Sequence, residues 1–235
     1  MLDGLRHALS TLPAEAVKVI VTDGVFSMEG DEAPLRNLLG LAEENGTLLV
    51  VDDSHGTGVA GPRGRGTAES HQVLGGVDVI TGTLGKALGG AIGGFVAGSG
   101  ALTSALRTLS RPYTFSNNPP PAVVAGARAA LNVLAGPDSP LPLLRTRVAR
   151  LRAGITALGL PTFAGDHPVV PVVVGDELET RALSERMIAQ GVFTTALTYP
   201  VVPRGQARLR LQVSAAHSES TIDHVLDALA SCWIR

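Results

Sequence analysis

The chain has 235 residues, 45% hydrophobic and 17% charged, with a formal net charge of −2, enough for one large or two small domains around a sizeable core. Scattered basic residues and 3% aromatics exclude an electrostatic footprint or base-stacking platform for nucleic acid. No apolar run approaches bilayer length, no charged-then-apolar leader opens the chain, and the single cysteine, Cys232, excludes an intrachain disulfide framework; together these predict a cytoplasmic protein without a membrane span.

Leu2, Leu5, Leu9 and Leu12 recur at helical spacing, and Pro13 closes that helix. Val17–Asp23 is β-rich and apolar, like a buried parallel strand, and runs into the loop Gly24–Gly30, which carries Ser27. Pro34 opens a helix through Glu44, stopped by Asn45-Gly46. Leu48–Val51 is the next buried strand, delivering Asp52-Asp53-Ser54-His55 at its carboxyl end. A glycine-rich loop, Gly61–Gly66, and a short polar helix lead to a third strand, Val77–Thr81, which passes into Gly82-Thr83-Leu84-Gly85-Lys86-Ala87-Leu88-Gly89-Gly90.

Gly93–Gly98 reads as a further strand and Gly100–Leu109 as a helix. Ser110–Pro121 reads as irregular, and Ala122–Leu134 as an alanine-rich helix. The breakers Gly136–Pro140 mark a domain boundary, so residues 1–136 and 137–235 are expected to form separate domains. Beyond it come a helix (Leu141–Leu158), a strand (Val169–Val174), a helix (Glu177–Gln190), strands Val192–Ala196 and Ala207–Val213, and a last helix, Thr221–Ile234. The strand–helix alternation of the first part predicts an open α/β sheet, and the second part a small α+β layer. In open α/β sheets ligands sit beyond the carboxyl ends of the strands, where Ser27, Asp52, His55 and Lys86 fall.

Lys86 stands out because the chain has only two lysines, Lys18 and Lys86, its other cations being arginine. An arginine keeps its proton; a lysine can lose one and attack a carbonyl. A carboxylate such as Asp52 can orient a histidine, bind a metal, pair with a protonated ring nitrogen, or simply cap a turn. Amine and acid together match the needs of pyridoxal 5′-phosphate (PLP): an amine for its aldehyde, a carboxylate for its pyridine nitrogen, donors for its phosphate and an arginine for a substrate carboxylate. Lys86, Asp52, Thr83 and Arg210 are candidates for these in turn. Alternation places Arg208, Arg210 and Gln212 on one strand face, where a solvated surface is the competing explanation. A nucleotide-binding P-loop is excluded, because only Thr83 and Leu84 separate Gly82 from Gly85-Lys86 and Ala87 replaces the hydroxyl residue. A metal hydrolase on Asp52, Asp53 and His55 stays open, although no other histidine falls in a ligand motif and no metal is expected.

The segments Thr22–Gly30, Val51–His55, Gly64-Arg65-Gly66, Thr81–Gly90, Ser110–Asn117 and Arg210–His217 resemble, in order and spacing, the α-oxoamine synthases, a branch of the fold-type-I PLP enzymes. Asp52-Asp53-Ser54-His55 and Ser110–Asn117 are most similar to the glycine C-acetyltransferase type; the 8-amino-7-oxononanoate synthase type is the alternative. The resemblance implies a transferase condensing glycine with acetyl-CoA to 2-amino-3-oxobutyrate, or the reverse during threonine breakdown. It implies that Lys86 holds the cofactor and moves protons, that Asp52 pairs with the ring nitrogen, and that His55 and Ser27 contact the phenolic oxygen side. Thr83 would meet the phosphate, Ser116 the phosphate of a neighbouring subunit in a homodimer, and Arg210 the glycine carboxylate. Family members also carry a long N-terminal portion, with a phosphate-binding turn and a ring-stacking histidine, that this sequence does not show. The chain is therefore expected to be the C-terminal part of the large domain plus the small domain. By itself it is expected to bind PLP poorly and turn over little, or to need a partner supplying the other half.

Overall fold

The computed structural model describes residues 2–89 and 92–233. Gly90, in the lysine turn, and Ile234, at the end of the expected last helix, lie outside the described residues. The chain divides into two compact units, one holding the residues up to Val25 with Glu32–Ser139, the other Phe26–Asp31 with the residues from Pro140 onward. The division thus falls inside the Gly136–Pro140 breakers, and the loop bearing Ser27 goes with the second unit.

In the first unit, helix α1 (Leu2–Thr11) precedes strand β1 (Val19–Asp23), helix α2 (Leu35–Glu44) and strand β2 (Leu48–Asp52). Helix α2 forms because Leu35, Leu38, Leu41 and Ala42 recur on one face, which is buried. It ends where Gly46 takes a positive φ of 58°. The short helix α3 (Thr67–Ser70) leads to β3 (Val79–Thr83) and β4 (Gly94–Gly98), followed by helices α4 (Gly100–Leu109), α5 (Arg111–Phe115) and α6 (Pro121–Ala135). The sheet order is β1-β2-β3-β4. β1, β2 and β3 run parallel, whereas β4 returns antiparallel to β3. The ten residues joining β3 to β4 are too few for a crossover helix, so the chain doubles back. Part of the stretch expected to be irregular is helix α5. Its Pro112 sits in the first turn, where a missing N–H costs nothing.

In the second unit, helix α7 (Leu141–Ala157), strand β5 (Val169–Gly175), helix α8 (Glu177–Ala189), strands β6 (Thr195–Leu197) and β7 (Ala207–Gln212) and helix α9 (Glu219–Cys232) build an antiparallel sheet, order β5-β7-β6, under helices. Val148, Leu151 and Ile155 of α7, Val170 and Val172 of β5, Leu209 and Leu211 of β7 and Ile222 and Leu229 of α9 close its core. β6 begins later than the apolar pattern suggests. The N–H groups of Gly191 and Val192 go to Ile188 and Met187 carbonyls, closing α8 rather than joining the sheet. Asp176 and Ser218 cap α8 and α9 through their side chains. No helix among the described residues is long and apolar enough to cross a membrane.

Candidate active site

β1 and β2 end in register at Asp23 and Asp52, and Asp52 stands opposite Thr81 of β3. The two oxygens of Asp52 are held from different sides. Oδ1 accepts the Ser54 backbone N–H at 2.9 Å, and Oδ2 accepts the Thr81 hydroxyl at 2.9 Å. Partial burial pushes this carboxyl up, but hydrogen bonds from Ser54 and Thr81 and the charge of Lys86 outweigh it and hold Asp52 below the ordinary carboxylate value. Asp52 is therefore an ionised acceptor at neutral pH.

Its neighbour Asp53 does something else. It is 2% exposed and accepts from the Thr67 hydroxyl at 2.6 Å, the Thr57 hydroxyl at 3.1 Å and the Thr67 N–H at 3.2 Å. Burial raises it above the ordinary carboxylate value despite these bonds. Asp53 ties the loop after β2 to the start of α3. It is a structural anchor rather than a ligand facing outward. No three His, Cys, Asp or Glu side chains among the described residues are grouped to share a metal ion. With Asp53 committed internally, the hydrolytic metal centre considered for Asp52, Asp53 and His55 loses its donor set. His55 lies half-buried in the turn that follows.

Lys86 is exposed in the turn after β3. That turn is braced from its own strand: the Thr83 hydroxyl donates to the Gly93 carbonyl at 3.2 Å and accepts the Gly85 N–H at 3.1 Å, while Leu88 is buried. In this arrangement the one proton of the Thr83 hydroxyl is spent on the loop, leaving a lone pair to offer. Ser116, exposed just beyond α5, donates to the Pro112 carbonyl. Asp52, Thr83 and Lys86 thus meet at the carboxyl end of one sheet. Ser116 belongs to the same unit but follows α5.

Ser27 and Arg210 belong to the second unit. Ser27 is half-buried in the turn Phe26–Asp31, whose Gly30 has φ +76° and packs so closely that a Cβ would lie 2.5 Å from the Val169 carbonyl oxygen. Arg208 grips that turn. It is fully buried, pairs with Glu29 Oε1 at 2.9 Å, reaches the Met28 carbonyl at 3.4 Å and lies over the Phe163 ring. Arg210, two residues on, lines a cavity of about 420 Å³ with Phe193, Thr195, Gln212, His217 and His224. Its Nε is buried without a partner, and burial pulls its pKa below the ordinary guanidinium value. Sequence reasoning overlooked Thr81 as a partner of Asp52, although period-2 alternation places it on the face of β3 that Thr83 shares.

A family model described as aminotransferase class I and II matches residues 1–229. The chain is similar to a Mus musculus protein called 2-amino-3-ketobutyrate coenzyme A ligase, mitochondrial, with 44% identity over 224 residues, 95% of this chain and 54% of that one. It is also similar to an 8-amino-7-oxononanoate synthase of Geobacter metallireducens, with 41% identity over 231 residues, 97% of this chain and 58% of that one. Among solved structures it is similar to a serine palmitoyltransferase from S. paucimobilis with bound PLP–myriocin aldimine, at TM-score 0.93 and 30% identity, covering 99% of this chain and 58% of that one. The chain spans about half the length of the curated relatives it matches.

Proposed function

The chain belongs to the class I and II aminotransferase family and has the fold-type-I architecture, and from that premise we propose that it carries the lysine-bearing part of a PLP-dependent acyltransferase joining glycine to acetyl-CoA. The observation that carries this reading is Asp52, held ionised on two sides and within electrostatic reach of Lys86. An amine, an ionised acid and a hydroxyl at one sheet end are the donor set that an aldehyde-bearing pyridine needs, so the residues present fit PLP. When bound, that cofactor withdraws electrons from the α-carbon of an amino acid.

The residues divide the work around it. Lys86 would hold the cofactor at its aldehyde carbon through Nζ and, when its amine is free, would accept the proton from the glycine α-carbon. Asp52 would accept a hydrogen bond from the ring nitrogen and so keep that nitrogen protonated. His55 and Ser27 would steady the phenolic oxygen side, Arg210 the glycine carboxylate through its planar fork, and Thr83 and a partner subunit's copy of Ser116 the phosphate, once their hydroxyl protons turn to it from the Gly93 and Pro112 carbonyls. The product is 2-amino-3-oxobutyrate, or in reverse glycine and acetyl-CoA during threonine breakdown. A cytoplasmic homodimer belongs to the same proposal. The relative named 2-amino-3-ketobutyrate coenzyme A ligase and the Asp52–His55 run favour this reading. An 8-amino-7-oxononanoate synthase-like activity is the second reading, supported by the 41% identical relative.

The test is to add PLP, record the absorption band of the bound aldehyde, reduce with borohydride and map the labelled peptide. The adduct is expected on Lys86, with glycine-dependent release of CoA thiol from acetyl-CoA. A band that forms only after adding a polypeptide with the portion of the relatives this chain does not span marks a fragment that needs a partner. Labelling at Lys18 alone, or no band with or without that polypeptide, overturns the reading.

A further inference from the structure

We infer that Thr81 is a positioning residue that fixes the orientation of the Asp52 carboxylate and ties it to the strand carrying Lys86. The inference rests on the function proposed above for what the carboxylate is for, but not for the geometry. Asp52 and Thr81 are register partners across parallel strands, so their side chains leave the same face side by side. Thr81 grips its neighbour twice. Its hydroxyl donates to Asp52 Oδ2 at 2.9 Å, and its carbonyl accepts the Asp53 N–H at 2.8 Å. One residue of β3 therefore holds both the backbone just past Asp52 and the Asp52 side chain.

The second hold on the carboxylate, Ser54 N–H to Oδ1, comes from its own chain two residues on. Two donors on two different oxygens stop rotation of the carboxylate plane; either one alone would leave it free to swing. Each oxygen retains a lone pair, so the fixed carboxylate can still accept from a ring N–H. Threonine suits the task because β-branching restricts its χ1, which makes the hydroxyl's position a property of the strand. The same strand exits through Thr83 into the Lys86 turn, so acid and amine share one frame. The titratable and charged groups around Asp52 are Asp23 on β1, Asp53 and His55 on its own segment, and Lys86 beyond β3. Of the two residues that hold it, Ser54 is local and Thr81 comes from the neighbouring strand.

Thr81 is half-exposed and its register partner on β4 is Val96, so Thr81→Val exchanges a hydroxyl for a methyl of similar size beside an apolar neighbour. The experiment follows the Asp52 carboxyl by ¹³C NMR titration in the cofactor-free chain, assigned with Asp52→Asn, in wild type, Thr81→Val and Thr81→Ser. The Asp52 midpoint is expected to move upward in Thr81→Val and to stay at the wild-type position in Thr81→Ser. PLP affinity, read from the absorption band, is expected to fall about three- to tenfold in Thr81→Val, the effect of losing one hydrogen bond to a charged group that is partly exposed, and to return in Thr81→Ser. If Thr81→Val does not fold, Thr81→Ala removes the same hydroxyl and is read the same way. An Asp52 midpoint unmoved by loss of the hydroxyl overturns the assignment, whatever PLP does. A shifted midpoint in a chain that binds no PLP upholds the role of Thr81 and counts against the proposed function instead.

Discussion

Arg208 and Arg210 show how much a single side chain depends on partners far away in sequence. Both lie on one face of β7, and alternation cannot tell them apart. Arg208 finds Glu29, 179 residues earlier, and becomes a buried structural cation; Arg210 keeps an unpartnered buried Nε beside a cavity. An unmet N–H there costs about 1–3 kcal/mol, which a bidentate carboxylate would recover. Titrating glycine or acetate is expected to shift the Arg210 Nε–H resonance, and Arg210→Lys to weaken that binding about tenfold or more, since an ammonium cannot form the fork. Arg208→Met is expected to leave the resonance responsive but lower the melting temperature. A carboxylate that leaves the Arg210 signal unmoved in wild type would remove its assigned role. The residue types of the candidate site were thus legible in the sequence, because amine, acid and arginine announce their chemistry. The division of labour within Arg208/Arg210 and Asp52/Asp53 was not, because it is decided by burial and by nonlocal donors.

At the level of elements, the loop from Asp53 to Thr67 is folded around a carboxylate. A Cβ on Gly24, Gly56 or Gly66 would lie 2.6, 2.1 or 1.7 Å from an Asp53 oxygen, so those positions exclude any side chain. Gly66→Ala meets this clash and a φ of +93° together. It is expected to cost about 3 kcal/mol in urea unfolding, from backbone strain plus disrupted buried hydrogen bonds. Gly46→Ala, at φ +58° with nothing within 4 Å, carries only the strain, about 1–2 kcal/mol. Equal costs for the two would show that the Asp53 anchor is not what holds the loop. Strands β1, β2 and β5 were readable as β-rich apolar runs, β3 with its span set two residues early, helix α2 from its recurring leucines and α8 from its stop at Gly191. This loop had no period to read: its glycines are placed by a carboxylate, and the hydroxyls that satisfy it lie 4 and 14 residues away. Helix α5 was hidden for a related reason, since Pro112 looks like a breaker until its position in the first turn is known.

Across the first unit as a whole, the two faces of the sheet differ sharply. Ile20, Leu49 and Val51 point to a buried side, the side whose helix α2 buries its own leucines. The alternate residues Val19, Val21, Leu48 and Val96 remain 48, 70, 46 and 46% exposed; Val19 pairs with Leu48 and Val21 through Val50 with Val79 as an apolar surface, while Val96 stands opposite Thr81 at its polar edge. Parallel strands occur almost only with both faces covered, and apolar patches beyond a few hundred Å² drive association. Asp52 and Thr81 leave the sheet on this same face, by alternation from Val50 and Val79. Whatever covers the valines would also lower the dielectric around the acid and strengthen its interaction with Lys86. The chain by itself is therefore expected to bind a hydrophobic dye and to self-associate at micromolar concentration, as read by light scattering. Val21→Lys with Leu48→Lys is expected to reduce both while leaving the far-ultraviolet circular dichroism unchanged, since those side chains are not part of the buried core. A monodisperse wild-type chain that binds no dye would mean that this face is stable in water as it stands, and that Asp52 works without a cover.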